Sequence, residues 1–420
     1  MRTNFSPAQL ANPHLAAVEE NLRSCVHCGI CTATCPTYVL LGDERDGPRG
    51  RIVMMQQMLE ENATPSPETV LHVDRCLSCL ACRTACPSSV DYARLVDTAR
   101  AHIETHYDRP PGDRWLRWLI ANVMTRPALV RIGLAFAPLG RWLPGSLGAM
   151  ARTGSKTRRP PGPLAKPVVP AGAKRIALMP GCVQKALAPE IDQSVTRILA
   201  RRGYALVSLD GAGCCGSLVH HLGKDAEAKA WAKRAIQAFE RAGPFDGVLT
   251  TATGCSAYLK DLEHLFAGDP AWAPRAKAFA AKTRDFLDLA TPVTALPSRS
   301  LRVAWQAPCS LQNGLKLADA GKALLQSAGF EVLDIPESHL CCGSAGSYSI
   351  LQPEIASQLR ARKLSNISSV RPDVIATANI GCLHHLSGPD APPIVHLAEL
   401  VDWAEGGATP EFLADGKTSR

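Results

Sequence analysis

Sixteen cysteines dominate the chemistry available to this chain, and eight of them lie in two short motifs of identical spacing. The first motif holds Cys25, Cys28, Cys31 and Cys35, and the second holds Cys76, Cys79, Cys82 and Cys86. Each motif reads C-x2-C-x2-C-x3-C and is followed by a proline. Thiolates at this spacing are ligands of iron–sulfur cubanes, so we expect one [4Fe–4S] cluster at each motif.

The fourth cysteine of each motif is expected to bind the cluster of the other motif. Three thiolates two residues apart can wrap three corners of one cubane, and the proline turns the fourth away. This predicts two ligand sets, Cys25, Cys28, Cys31 and Cys86 for cluster 1, and Cys76, Cys79, Cys82 and Cys35 for cluster 2. Structural zinc is the alternative, but zinc motifs usually place a long spacer between two C-x2-C pairs.

The remaining eight cysteines form a duplicated pattern. A shift of 127 positions maps the first set onto the second: Cys182, Cys214, Cys215 and Cys255, then Cys309, Cys341, Cys342 and Cys382. Both adjacent pairs are followed by Gly-Ser. Four thiols brought together in each repeat would suit a zinc or iron–sulfur site. The alternatives are buried structural cysteines, or a vicinal disulfide, which a reducing cytosol disfavours.

Alternating strands and helices are predicted to position these eight cysteines. We expect strands at residues 175–179, 205–209, 247–251, 301–306, 330–335 and 374–377, and helices at residues 191–202, 226–240, 318–327 and 353–364. Such alternation predicts two α/β units with parallel sheets. Every cysteine of the duplicated pattern follows a strand, so the thiols of each repeat should meet at the carboxyl edge of its sheet.

The segment that carries the two motifs is predicted to be helical. Forty residues separate Cys35 from Cys76, which is more than the short hairpins of a minimal two-cluster ferredoxin need. Helices are expected at residues 8–24, 52–61, 69–77 and 91–107. Arg49 and Arg51 lie between the motifs and could raise the potential of a cluster. The alternative is that they are solvated or pair with nearby acids, namely Asp43, Glu44 and Asp46.

Composition places the chain among ordinary soluble proteins. Its 420 residues are 46% hydrophobic and 20% charged. Residues 1–24 contain no apolar stretch of the signal-peptide kind, and no run of 18 apolar residues occurs. We therefore expect a cytoplasmic protein, in which clustered cysteines serve as metal ligands.

One basic segment sets the sign of the net charge of +8. Residues 114–175 contain twelve Lys or Arg and no Asp or Glu. A helical stripe of Trp115, Leu119 and Val123, followed by Arg126, Arg131 and Arg141, would suit peripheral contact with an anionic membrane. It would equally suit packing on another domain or on an acidic partner. Residues 151–173 read as an exposed linker, and no nucleic-acid motif accompanies the charge.

Residues 211–216 fit the pattern G-x-G-x-x-G and follow a predicted strand, as a dinucleotide site would. The equivalent stretch of the second repeat, residues 338–343, lacks the first two glycines. The duplicated cysteines explain both copies, whereas a nucleotide site would explain one. We therefore favour the cysteine interpretation.

The predicted fold class is α plus α/β. We expect a helical two-cluster ferredoxin-like module at residues 1–107, a basic apolar and Pro-rich connector at 108–173, and two tandem α/β cysteine-rich repeats at 174–295 and 296–410. These segments are called here the N-terminal module, the connector, repeat 1 and repeat 2.

This arrangement resembles the heterodisulfide reductase C/B-like electron-transfer subunits, which carry two ferredoxin motifs and two CCG domains. Residues 25–38 and 42–52, together with the stretches at 214–217 and 251–255, most resemble the iron–sulfur subunits of that family that serve glycolate oxidases, also called glycolate dehydrogenases. The resemblance implies an electron relay through two [4Fe–4S] clusters. It implies a partner subunit that carries FAD and oxidises glycolate to glyoxylate, and a quinone-type acceptor at the inner membrane.

The sequence departs from the fuller CCG pattern at one position in each repeat. That pattern ends in C-x-x-C, but its last position is Tyr258 in repeat 1 and His385 in repeat 2. His385 could supply a nitrogen ligand, so repeat 2 is the better candidate for a ligand site. The departure argues against a disulfide reductase of the heterodisulfide type. A subunit serving lactate or anaerobic glycerol-3-phosphate dehydrogenase is the other alternative.

Overall fold

The computed structural model describes residues 1–140 and 172–414, apart from 293–295 and 298. All but the last two residues of the predicted linker at 151–173 lie outside the described residues, and so does Arg141. The described chain forms a helical N-terminal module followed by two four-stranded sheets. The predicted fold class is confirmed.

The N-terminal module is built from short helices around one apolar core. The helices are Pro7–Leu10, Pro13–Ser24, Pro36–Leu41, Pro48–Glu61, Pro67–Asp74, Ala81–Thr84 and Tyr92–His106. Five of them begin with proline, whose fixed φ and missing N–H suit the first helical position. Apolar side chains from the longer helices, such as Leu22, Met55 and Leu95, fill the core. The module therefore has the helical scaffold that the wide motif separation predicts.

The connector begins with a bent pair of helical segments, Pro111–Met124 and Pro127–Phe136, which meet at 114°. Leu116 and Ile120 pack on the core of repeat 1, while Trp115 is 51% exposed. The stripe that begins at Trp115 therefore lies beside the packed face and does not form it. Among the described residues, none of the helices taken singly could span a membrane. The two segments of this bent pair together have the length and apolar composition of one broken span.

Repeat 1 contains a parallel sheet with the strand order β2-β1-β3-β4. Its strands are β1 (Lys174–Leu178), β2 (Tyr204–Ser208), β3 (Gly247–Thr250) and β4 (Thr283–Asp285). Its helices are Gln184–Leu187, Glu190–Arg201, Ser217–His220, Asp225–Arg241, Thr253–Lys260, Leu262–Leu265, Ala273–Lys282 and Phe286–Leu289. The three predicted strands and two predicted helices are present within two residues of their expected bounds.

Repeat 2 repeats this topology in the order β6-β5-β7-β8. Its strands are β5 (Arg302–Gln306), β6 (Glu331–Leu333), β7 (Val374–Thr377) and β8 (Ile394–His396). Its helices are Ala318–Ser327, Tyr348–Leu351, Pro353–Ser369, Ile380–Leu386, Leu397–Ala404 and Glu411–Ala414, with a π-helical turn at Ser310–Leu315. The duplicated cysteine pattern therefore reflects a duplicated sheet. The fourth strand of each sheet has three residues and is not among the strands predicted from the sequence.

The two repeats share one apolar core, which joins β1 and β3 to β5 and β7. Ion pairs also link the two repeats: Arg197 Nε lies 2.7 Å from Asp402 Oδ2. The N-terminal module packs on repeat 1 so closely that a Cβ at Gly223 would lie 2.3 Å from the carbonyl oxygen of Arg100. The three units thus form a continuous body.

Candidate metal centres

The loops of the two cysteine motifs have the same backbone conformation. Two residues in each loop take left-handed φ values, 55° at His27 and 79° at Gly29, then 50° at Ser78 and 58° at Leu80. Such values are unfavourable for a residue like Leu80, which indicates a constraint on the loop shape. Alternation of this kind aims backbone N–H groups into anion-binding concavities that occur at many iron–sulfur sites. The loop backbones therefore fit thiolate-bound clusters.

The structure groups the four predicted ligands of cluster 1. Cys31 lies close enough to Cys25, Cys28 and Cys86 for their charges to interact. Burial, and to a smaller extent these neighbouring thiolates, raises the pKa of Cys31 to about 11. Iron cations would offset the repulsion that four thiolates in one place impose on one another.

The four predicted ligands of cluster 2 line one cavity. They are Cys35, Cys76, Cys79 and Cys82. Cys35 belongs to the first motif, so the structure brings together the crossed sets that the spacing predicts. Among the described residues, no group of three or more His, Cys, Asp or Glu side chains is arranged to hold a single metal ion. Cluster binding by these residues stays a prediction.

A buried arginine contacts the ligand set of cluster 2. Arg51 is 1% exposed, and its Nη1 lies 3.8 Å from Cys35 Sγ. Its Nη2 donates to Thr37 Oγ1 at 3.1 Å and lies 3.3 Å from Asp46 Oδ1. Its Nε donates to the carbonyl oxygen of His72 at 2.6 Å. Arg51 therefore both pairs with Asp46 and places positive charge at cluster 2, where charge and hydrogen bonds raise a reduction potential.

Two further arginines lie near the motifs. Arg49 is paired with a nearby acid, which is the alternative given in the sequence analysis. Its Nε lies 2.6 Å from Glu44 Oε1 and its side chain is 39% exposed. Arg100 is buried and donates to the carbonyl oxygen of Cys76 and to Ser78 Oγ, each at 2.6 Å. Two buried guanidinium groups therefore flank the predicted ligands of cluster 2, whereas Arg49, beside the first motif, is partly exposed and paired.

The eight cysteines of the repeats converge as the strand positions predict. The thiols form close pairs, with Sγ–Sγ distances of 3.5 Å for Cys182–Cys214, 3.2 Å for Cys215–Cys255, 3.9 Å for Cys309–Cys341 and 3.2 Å for Cys342–Cys382. All sixteen cysteines of the chain are free thiols, so the structure contains no vicinal disulfide. The hydrogen bond between the Cys309 and Cys341 thiols, together with burial, raises the pKa of Cys309.

The residues at the fifth CCG position differ in chemistry between the repeats. Tyr258 Oη is buried and makes no hydrogen bond within the described chain. His385 Nε2 lies 3.2 Å from the carbonyl oxygen of Ala356. Burial lowers the pKa of His385 to about 4, so the ring is neutral at pH 7. A neutral imidazole whose N–H is held by a carbonyl is the form in which histidine binds metals, so His385 fits a ligand role.

Packing accounts for the glycines of the G-x-G-x-x-G stretch. Gly213 has a φ of 74°, and a Cβ there would lie 2.6 Å from the Trp231 ring. Gly216 has a φ of 96°, and a Cβ there would lie 3.1 Å from the carbonyl oxygen of Ala228. Both glycines therefore permit a left-handed backbone and a close helix contact, so no nucleotide is needed to explain them.

Repeat 2 lies against the ligands of cluster 2. Cys79 packs with Cys309 and Cys341 in one apolar cluster. Tyr348 Oη donates to the carbonyl oxygen of Arg75 at 3.0 Å, directly before the second motif. The predicted ligands of cluster 2 therefore adjoin the thiols of repeat 2 across the interface between the N-terminal module and repeat 2.

The sequence analysis missed two buried cations near the thiols, Arg100 and Lys363. A signal was present for Lys363, which lies four residues after Leu359 and four before Ile367. That spacing puts it on the apolar stripe of the helix Pro353–Ser369, where a lysine must be buried.

Comparisons with known proteins agree with this arrangement. Residues 24–90 match the 4Fe-4S dicluster domain, and residues 176–260 and 303–387 each match the CCG cysteine-rich domain. A hypothetical protein from Helicobacter pylori, known from a crystal structure, has a TM-score of 0.51 at 11% identity and is a likeness of fold alone. That match covers 97% of this chain and 75% of the other.

Curated relatives extend over nearly the whole chain. The glycolate oxidase iron-sulfur subunit of Escherichia coli (strain K12) is 37% identical, over 96% of this chain and 99% of its own length. The probable glycolate oxidase iron-sulfur subunit of Bacillus subtilis (strain 168) is 30% identical, over 97% and 100%. Lactate utilization protein A of Geobacillus kaustophilus is 29% identical over 54% of this chain and 98% of its own length. The chain therefore belongs to the family of glycolate oxidase iron–sulfur subunits, built from a 4Fe-4S dicluster domain and two CCG domains.

Proposed function

We propose that this protein is the electron-transfer subunit of a complex that oxidises glycolate to glyoxylate. The observation that carries the proposal is the crossed grouping of the motif cysteines into two sets of four. Similarity over the full length to two glycolate oxidase iron-sulfur subunits supports the substrate. In this proposal, glycolate oxidation takes place on a partner flavoprotein that carries FAD.

Bound [4Fe–4S] clusters would supply one-electron chemistry, and the residues of this chain would hold and tune them. The cluster 1 set faces solvent at Cys28. Its neighbours Val26 and Ile30 have exposed fractions of 69% and 53%, an apolar surface suited to a protein partner. The cluster 2 set is enclosed by Arg51, Arg100 and repeat 2. We therefore place the flavoprotein at the cluster 1 end of the module.

The lactate alternative has weaker support. Lactate utilization protein A matches about half of this chain, whereas the glycolate oxidase subunits match nearly all of it. Disulfide reduction of the heterodisulfide type is disfavoured because Tyr258 and His385 stand where the fuller motif has cysteine. An assay with lactate and with a disulfide acceptor would separate these functions.

Metal analysis of the anaerobically purified full-length chain tests the proposal. We expect at least about eight irons and eight sulfides per chain, and EPR signals from interacting clusters after reduction with dithionite. Cys25→Ser and Cys76→Ser should each lower the iron content and abolish acceptor reduction by the assembled complex, while the flavoprotein stays folded. Zinc without iron, or undiminished acceptor reduction by both variants, would overturn the proposal.

We further propose that the connector docks on an anionic membrane surface, from which a quinone-type acceptor would be reached. The bent helical pair leaves apolar side chains exposed: Trp115, Trp118, Leu129, Ile132 and Phe136. Exposed arginines accompany them on the same segments: Arg114, Arg126 and Arg131. Aromatic and basic residues on one helical surface favour the interface of anionic lipids. The protein would then be cytoplasmic and peripheral.

A further inference from the structure

The duplication provides an internal comparison of the two thiol sites. A Cβ at Gly216 would lie 3.1 Å from the carbonyl oxygen of Ala228, and one at Gly343 would lie 2.7 Å from that of Ala356. The same helices therefore face the two Cys-Cys-Gly turns, with a shift of 128 positions between them. By this register, Lys363 of repeat 2 occupies the place of a fully buried alanine, Ala235, in repeat 1.

Lys363 is buried beside the thiols of repeat 2. Its exposed fraction is 2%, and its Nζ donates to the carbonyl oxygens of Glu337 at 2.9 Å and Ser338 at 3.5 Å. The next residue along the helix, Leu364, packs in one apolar cluster with Cys342 and Cys382. The ammonium group therefore lies beside an apolar region that contains the thiols of Cys342 and Cys382.

A buried ammonium group requires a negative partner, because removing its charge from water costs several kcal/mol. The carboxylate of Glu337 is engaged elsewhere, since it accepts from Arg362 Nε at 2.7 Å and from Asn366 Nδ2 at 2.8 Å. Three cysteine side chains also lie within electrostatic range of Lys363, and they are negative in the thiolate form that binds iron: Cys341, Cys342 and Cys382. Burial lowers the pKa of Lys363 and negative charge on these sulfurs opposes that shift.

We propose that Lys363 is the counter-charge of an anionic iron–sulfur centre held by Cys309, Cys341, Cys342 and Cys382, and that the buried alanine at the equivalent place in repeat 1, Ala235, supplies none. The inference rests on the proposed electron-transfer function and deepens it. It makes the two repeats unequal: repeat 2, which also adjoins the cluster 2 ligands, carries the redox centre. Lys363 acts through the thiolates and is a positioning residue.

The test uses the anaerobically purified full-length chain, with iron and sulfide analysis and an EPR-monitored redox titration. We expect the unmodified chain to hold more than about eight irons. Lys363→Met should lose the iron in excess of the two N-terminal clusters, or retain it at a lower reduction potential. Lys363→Arg keeps the positive charge, so its iron content and reduction potential should both be closer to those of the unmodified chain. Lys322→Met is the matched control, because Lys322 is a partly exposed lysine of repeat 2 that pairs with Asp334.

Each result supports or overturns the inference. Equal iron content and equal potentials in Lys363→Met and the unmodified chain would overturn it, as would an unmodified chain with only about eight irons. Loss of all iron in both Lys363→Met and Lys363→Arg would assign the lysine to folding alone and also overturn it. The proposed function would survive these results, since it is tested separately by the two N-terminal clusters of the unmodified chain and by acceptor reduction in Cys25→Ser and Cys76→Ser.

Discussion

The side-chain amide of Asn313 donates a hydrogen bond to the carbonyl oxygen of Cys79, with an Nδ2–O distance of 2.9 Å. Thr84 Oγ1 completes the contact by donating to Asn313 Oδ1 at 3.0 Å. A residue of repeat 2 thus holds the loop that supplies the cluster 2 ligands. Because 234 positions separate Asn313 from Cys79, the contact depends on how the units dock and not on local sequence.

Asn313→Ala should loosen the second cysteine motif. The substitution leaves the buried carbonyl of Cys79 without its donor, which costs about 1–3 kcal/mol. Hydrogen–deuterium exchange of the full-length chain should therefore rise at residues 76–86. Ser357→Ala is the control, since Ser357 is an exposed residue of repeat 2 that bonds only within its own helix. Equal exchange at the motif in both variants would contradict the prediction.

Arg51→Leu should lower the reduction potential of cluster 2, because it removes a buried positive charge and a donor to Cys35 Sγ. It leaves Asp46 with two other partners, His72 Nδ1 at 2.9 Å and Arg75 Nη1 at 3.0 Å from its carboxylate oxygens. The double variant Arg51→Leu with Asp46→Asn removes one charge of each sign, so its cluster 2 potential should be lowered less than that of Arg51→Leu. An EPR-monitored titration of both clusters gives the two potentials.

Arg49→Gln is the matched control for Arg51. A Cβ at Gly29 would lie 3.0 Å from Arg49 Nη1, so this arginine is near the first motif. Its charge is solvated and paired with Glu44, and we expect only a small change in the cluster 1 potential. A larger shift of reduction potential in Arg49→Gln than in Arg51→Leu would show that burial of an arginine does not determine its influence on a cluster potential.

The sequence predicted the features that depend on local patterns of residues. The C-x2-C-x2-C-x3-C spacing assigned Cys35 to the set of Cys76, and the structure places both in one cavity. The shift of 127 positions predicted two equivalent sheets, and both have the same strand order. The sequence pattern identified six of the eight described strands and missed β4 and β8, each of which lies at one end of its sheet.

The parts that sequence did not predict depend on docking between units. Nothing near Asn313 in sequence indicates that it bonds to Cys79. Arg51 was recognised as a candidate, but whether it faces solvent or a cluster is decided by the helices that cover it. The stripe beginning at Trp115 was identified, yet the adjacent stripe with Leu116 and Ile120 is the one that packs on repeat 1.

His220 should make stability fall as the pH rises above neutrality. Its Nε2 lies 3.3 Å from Asp97 Oδ2 and its Nδ1 lies 3.0 Å from Asp225 Oδ1, at the interface of repeat 1 with the N-terminal module. Burial favours the neutral ring, but the two carboxylates outweigh it and raise the pKa of His220 to about 10. The pKa of histidine in the unfolded chain is about 6.5. The stabilisation of the folded state by these two ion pairs is therefore fully present below that pH and is lost as the pH rises towards about 10.

Urea denaturation of the full-length chain across this pH range provides the measurement. The midpoint should fall with rising pH, and His220→Gln should flatten the dependence while lowering the midpoint near neutral pH. His106→Gln is the control, since His106 is exposed and bonds only to a backbone carbonyl of its own helix. An unchanged pH dependence in His220→Gln would assign the effect to other groups.

Trp118→Ser combined with Phe136→Ser should weaken binding to vesicles that contain an anionic phospholipid. These side chains are 54% and 63% exposed and lie on the two segments of the bent pair, so their loss removes apolar area without opening the core. Cosedimentation of the full-length chain measures the effect, and binding of the unmodified chain should fall as salt screens the arginines. Leu71→Ser is the control, because Leu71 is 43% exposed on the N-terminal module. Equal cosedimentation of the double variant and the unmodified chain would show that this surface serves a protein partner instead of a membrane.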